Sequence, residues 1–125
     1  MRCFGTIVTA VSDEARELVE GGVLILFAEG APPELAEVSV LHRVTTEPTA
    51  APPAVGATLH VAGFPARITA MGEYAWKKMA EIGHVVINFN GATDSPRPGE
   101  IAVAQVDLTA MAEALLPGAE IAIET

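Results

Sequence analysis

Hydrophobic and polar positions alternate over short spans along most of the chain, and Gly or Pro interrupts them at close intervals. Arg2 to Val11 is rich in Thr, Ile and Val with partial alternation, which predicts a strand. Ser12 offers an N-cap, Asp13 and Glu14 sit in the first turn where the helix dipole favours negative charge, and a short helix through Glu20 stops at Gly21-Gly22. The continuous apolar run Val23 to Phe27 predicts a strand buried on both faces. Glu29-Gly30-Ala31-Pro32-Pro33 breaks it, since neither proline can donate to a ladder, and Glu34 to Glu37 is long enough for one helical turn.

From Glu37 onward Val38, Val40, His42 and Val44 face one way, against Ser39, Leu41 and Arg43 on the other. Thr45 to Val55 carries three prolines and three alanines without periodicity and reads as a loop, mobile or functional by its length. Thr58 to Ala62 and Ala66 to Met71, joined by a turn at Gly63-Phe64-Pro65, predict a hairpin. Glu73 to Ile82 predicts a helix ended by Gly83. His84 to Asn90 alternates with Val85, Ile87 and Phe89 on one side, predicting a half-buried strand. Gly91 to Gly99 reads as a loop and Glu100 to Val106 as a strand. Asp107 or Thr109 caps a helical turn reaching Leu115, and Ala119 to Glu124 is a short strand. The expected fold is mainly β: a single domain over residues 1–125, a β-barrel or sandwich of about eight strands with two or three short helices.

Charge narrows the choice of partners. Sixteen acidic against seven basic residues give a formal charge of -9, which opposes binding to a phosphate backbone, and nucleic acid is not expected as a partner. An acidic surface favours encounter with a basic protein face, or simply keeps the protein soluble. No apolar run approaches the roughly 20 residues needed to cross a bilayer, and Ser12-Asp13-Glu14 arrives too early for a secretory h-region. The expectation is a cytoplasmic protein without direct membrane insertion. Cys3 is the one cysteine, so neither an intrachain disulfide nor a cysteine-based zinc site can form.

The glycines at 21, 22 and 30 lack phosphate-loop spacing and its Lys-Ser or Lys-Thr ending. His42, His60 and His84 are too far apart to form a local metal motif, so neither metal nor cofactor is expected. Ser12, Ser39 and Ser95 are available nucleophiles, but none sits in a nucleophile elbow. Histidine itself remains: with a pKa near 6.5, a large fraction of imidazole at neutral pH carries a lone pair able to attack phosphorus, and the N-phosphoryl product passes its group on. Such a site needs a rigid strand, one ring nitrogen exposed, and donors for the phosphoryl oxygens. His42, at a strand end before the long loop and next to Arg43, meets the first requirement. A lone histidine among valines is also the pattern of a hydrogen-bonded core residue, and pattern alone favours that bland reading.

Three stretches shift the balance. Phe27-Ala28-Glu29-Gly30-Ala31-Pro32-Pro33-Glu34-Leu35 with Leu41-His42, then Ile68-Thr69-Ala70-Met71-Gly72, then Glu81-Ile82-Gly83-His84-Val85 resemble, in order and spacing, the glucitol/sorbitol-specific IIA component of the bacterial sugar phosphotransferase system. Phe89-Asn90-Gly91 and Pro98-Gly99 continue the likeness. The resemblance implies a phosphocarrier that accepts a phosphoryl group from an HPr-type protein on one histidine and passes it to the IIB part of a IIB/IIC transporter during uptake of a sugar alcohol. It places the acceptor on His42 and the histidine of the Gly-His motif on His84, which either orients the phosphoryl group or holds structure. Arg43 is a candidate donor to phosphoryl oxygens, and His60 matches no motif. Val44 stands where the family pattern often has a second histidine, and Lys78-Met79 where Asn-Leu is common; these departures bear on sugar and partner more than on the acceptor. The rival readings are a regulatory or ligand-binding barrel without phosphotransfer, and a structural subunit that binds through its acidic face.

Overall fold

The computed structural model describes residues 1–94 and 96–125; Ser95, one of the three serines considered above, lies outside the described residues. Eight strands close into a barrel in the order β1-β3-β2-β6-β7-β5-β4-β8. In chain order the elements are β1 (Arg2–Val11), α1 (Asp13–Glu20), β2 (Val23–Ala28), α2 (Pro33–Ala36), β3 (Val40–Thr46), β4 (Thr58–Val61), β5 (Phe64–Met71), α3 (Ala75–Ile82), β6 (Val85–Asn88), β7 (Glu100–Val103), α4 (Leu108–Ala114) and β8 (Glu120–Glu124).

Closure depends on β1. It pairs with β3 on one side and β8 on the other, and its register shifts between Gly5 and Thr6 and again between Val8 and Ala10. Such bulges bend a strand and increase its twist, which a sheet needs to meet its own edge. The barrel is mixed: β2 runs parallel to β3 and β6 parallel to β7, while the other neighbours are antiparallel. Inward positions fill the interior with Phe4, Val8, Leu24, Leu26, Val40, Leu59, Ile68, Ile87, Ile101, Ile121 and Ile123. On the outside α1 lies against α4 and β2. Arg16 of α1 donates to the carbonyls of Ala112 and Leu115, satisfying acceptors left open at the C-terminal end of α4.

Local signals mark most element ends. The Ser12 hydroxyl accepts from the Ala15 N–H at 3.0 Å, and Asp107, rather than Thr109, caps α4 by accepting from Ala110 N–H at 3.1 Å. Four short helices form among the described residues, since Pro33–Ala36 makes its own single turn.

Several expected boundaries move. The hairpin turn is Ala62-Gly63, both at positive φ, so Phe64 and Pro65 already belong to β5. β3 starts at Val40, because Glu37 N–H and Val38 N–H are still bonded back to Pro33 and Leu35. β2 is fully buried only at Leu24 and Leu26; Val23, Ile25 and Phe27 keep partial exposure, as one wall of a barrel requires. The loop after β3 is tied down at Thr49, whose N–H donates to Cys3 O and whose carbonyl accepts from the Trp76 indole at 2.7 Å.

Candidate functional site

His42 lies on β3, in the parallel register that sets it beside Ala28 of β2, and its side chain turns into the barrel with 0% exposure. Both ring nitrogens are engaged. Nε2 is 2.7 Å from the carbonyl of Gly83, and Nδ1 is 2.6 Å from the hydroxyl of Thr6. A carbonyl can only accept, so the neutral ring carries its proton on Nε2 and Nδ1 accepts from Thr6. Phe4 approaches the ring edge-on with centroids 6.3 Å apart. Burial pushes the His42 pKa below its ordinary value, against the Gly83 carbonyl and the negative charge of Glu29, which both favour the protonated ring. The ring is therefore neutral near pH 7, with a lone pair available in principle, and in this arrangement both of its nitrogens are masked.

The Gly83 carbonyl reaches His42 because α3 ends in a left-handed turn. Gly83 adopts φ 63°, its N–H bonds to Met79 O, and His84 N–H bonds back to Lys78 O, the glycine C-cap that frees the chain to turn sharply. The turn runs tight against β2: a Cβ on Gly83 would sit 2.8 Å from the Ala28 Cβ. The next residue, His84, is half-buried and stacks on Phe27 with ring centroids 4.9 Å apart. Its Nδ1–H donates to the carbonyl of Leu26 at 3.0 Å. The other nitrogen, Nε2, has no protein hydrogen-bond partner among the described residues.

The structure thus brings His42 and His84 together through Gly83 but gives them opposite surroundings. His42, expected with one nitrogen exposed, is the enclosed imidazole, because its phase on β3 is shared with Val40 and points inward. Arg43, one residue on, takes the opposite phase. Its side chain is 66% exposed and reaches Glu29 only at 4.0 Å, so it does not touch the His42 ring. His60 sits apart on β4, with Nε2 3.4 Å from Glu124. It borders a cavity of about 440 Å3 shared with Arg2, Glu120 and Glu124. Among the described residues no group of three His, Cys, Asp or Glu converges as metal ligands. Ser12 is spent as a helix cap, and the buried Ser39 hydroxyl has no hydrogen-bond partner among the described residues.

Two contributors carry no direct sequence signal for a role at the ring. Gly83 stops α3 and belongs to the Gly-His motif, but only the fold makes its carbonyl the ring's anchor. Thr6 had a faint signal in the alternation Phe4, Thr6, Val8 along β1, which puts a hydroxyl on an otherwise apolar inner face.

Comparison with known proteins fits this geometry into a wider set. Residues 3–119 match the family model described as "PTS system glucitol/sorbitol-specific IIA component". Two relatives, each named PTS system glucitol/sorbitol-specific EIIA component, come from Shigella flexneri and Escherichia coli strain K12. Both are 31% identical over 101 residues, covering 81% of this chain and 80% of theirs. The crystal structure of a PTS system IIA component from Enterococcus faecalis V583 has the same fold, with TM-score 0.69 over 97% of this chain and 99% of that one, at 19% identity.

Proposed function

The chain belongs to the family of glucitol/sorbitol-specific IIA components of the sugar phosphotransferase system, and from that premise we propose that it is a cytoplasmic phosphocarrier. It takes a phosphoryl group from the phosphohistidine of an HPr-type protein onto His42 and hands it to the IIB part of a transporter for a sugar alcohol such as glucitol. The observation that carries this reading is the pinned imidazole of His42, held at both nitrogens on a rigid strand and joined through one glycine to a half-exposed second histidine.

A positioned ring is what this chemistry needs, because phosphoryl transfer through a loose transition state draws its rate mainly from alignment and charge stabilisation. Nδ1 faces Thr6 in the fully buried interior, whereas Nε2 faces Gly83, whose neighbours Ile82 and His84 are exposed and half-buried. Nε2 is therefore the nitrogen on the side of the surface. For transfer, the Gly83 carbonyl turns away and solvent exchanges the ring's proton, water taking the one on Nε2 and returning one to Nδ1, where Thr6 Oγ1 accepts it in a hydrogen bond. The Nε2 lone pair then forms the new N–P bond while the donor's N–P bond breaks and its electron pair returns to the donor imidazole. His84, next in the chain, flanks the opened site and orients the phosphoryl group, and Arg43 meets the partner's face from the outer side of β3.

The test is incubation with phosphoenolpyruvate, enzyme I and HPr, read by intact mass. The expected product is one acid-labile, base-stable phosphate that disappears in His42→Ala and persists, formed more slowly, in His84→Ala. Label retained in His42→Ala overturns the assignment. The rival, a regulatory or ligand-binding barrel, is favoured by the full burial of His42, since a ring with both nitrogens occupied is also a stable core residue; it predicts no label on any variant.

A further inference from the structure

We propose that Thr6 is a positioning residue for phosphotransfer: its hydroxyl holds Nδ1 of His42 through the change of tautomer that frees Nε2. The proposal rests on the reading of His42 as the acceptor and adds the group that keeps the ring in place once the Gly83 contact is broken.

The two partners of the ring differ in what they can do. The Gly83 carbonyl is an acceptor only, so it holds Nε2 solely while that nitrogen is protonated, and it must withdraw before Nε2 can attack. A hydroxyl both donates and accepts. In the enclosed state Thr6 O–H donates to Nδ1; after the proton shift Nδ1–H donates to Thr6 Oγ1, across the same 2.6 Å contact. Beyond the proton lost from Nε2 and the one gained at Nδ1, only a rotation of the hydroxyl hydrogen separates the two states, and the ring stays in register with β3. Bonding to one imidazole nitrogen sets the state of the other, so Thr6 directs reactivity to the nitrogen it does not touch.

Location supports the same assignment. Thr6 has 0% exposure between the inward positions of Phe4 and Val8, where a hydroxyl costs stability unless it is bonded. Its side chain's hydrogen bond among the described residues is to His42. The register shift between Gly5 and Thr6 lies immediately before it on the strand that pairs with β3, pairing Thr6 with Val44 and Val8 with His42. A bulge beside a site re-aims a side chain. Here it accompanies a diagonal reach from Thr6 across to the ring.

Three variants test this in the labelling assay, with imidazole 15N NMR of His42 alongside. Thr6→Val keeps the shape and removes the hydroxyl; Thr6→Ser keeps the hydroxyl. Phosphorylation of Thr6→Val is expected to slow by about 10–100-fold, the usual cost of removing a group that orients a reactive ligand, with Thr6→Ser within about 3-fold of the parent. The Nδ1 resonance should move in Thr6→Val and return in Thr6→Ser, a rescue that loss of packing would not produce. If Thr6→Val does not fold, Thr6→Ala set against Thr6→Ser makes the same comparison. Equal rates in Thr6→Val and the parent overturn the proposal, as does an equal loss in Thr6→Val and Thr6→Ser. Failure of the underlying reading looks different: the parent takes no label, or His42→Ala keeps it, and the role assigned to Thr6 falls with it.

Discussion

Replacing Gly83 by Ala tests whether the close approach between the end of α3 and β2 positions the His42 anchor. Gly91 supplies an internal control, because its φ of 67° nearly equals the 63° of Gly83 while none of the described residues beyond its chain neighbours lies within 4 Å of a Cβ built on it. An alanine forced into the left-handed region costs about 1–2 kcal/mol relative to glycine, and Gly91→Ala should lose that and little more. At Gly83 the new Cβ would stand 2.8 Å from the Ala28 Cβ and 3.2 Å from the Ala28 nitrogen. Those atoms belong to β2, which the ladder from Leu26 to Val85 holds against β6. Overpacking of this kind costs about 1–3 kcal/mol, and displacing the Gly83 carbonyl weakens a buried hydrogen bond worth about 1 kcal/mol net. Gly83→Ala is therefore expected to lose about 3–6 kcal/mol against about 1–2 for Gly91→Ala. Urea unfolding resolves the difference, since m-values of about 1–3 kcal/mol per M separate the two midpoints by about 0.7 M or more. The imidazole 15N spectrum of His42 should change in the first variant only. Equal stability losses, within about 0.5 kcal/mol, would refute the steric argument and with it the view that Gly83 fixes the ring.

Two further outcomes follow from single groups. The folded-state pKa of His42 lies below its ordinary value of 6.5, so between those values the unfolded chain binds more protons than the folded one. Stability is then full above about pH 6.5 and falls with pH through that window by up to about 1.4 kcal/mol per unit, levelling off below the folded pKa. Chemical denaturation from pH 7.5 downward should show this slope in the parent and lose it in His42→Gln; the same slope in both would remove His42 as its source. Ser12→Ala should cost about 1 kcal/mol by removing the cap of α1, measured as a lower urea midpoint at unchanged m. It should leave phosphate labelling unaltered, since the hydrogen bonds of the Ser12 hydroxyl run to Glu37 and Ala15 and to neither histidine.

Much of the architecture was legible because local rules agree with the global fold. Alternation located the strands, capping serine and aspartate marked α1 and α4, and Gly83 marked the end of α3. Errors gathered at boundaries: the hairpin turn fell at Ala62-Gly63, and alanine at positive φ carries no sequence signal of the kind glycine does. Choosing barrel over sandwich was out of reach of the pattern, because closure rests on β1 pairing with β3 on one side and, across nearly the whole chain length, with β8 on the other.

The sequence by itself determined the short alternating strands, the acidic balance and the family resemblance that singles out His42 and His84. Alternation on β3 even placed His42 with the valines, and the inward phase is what the fold shows. What only tertiary structure decided is the state of each ring. Nδ1 and Nε2 of His42 are satisfied by residues 36 and 41 positions away, Thr6 and Gly83, and His84 is oriented by Leu26, 58 positions away. A hydrogen bond depends on distance and direction in space, and a linear pattern carries neither until the barrel closes.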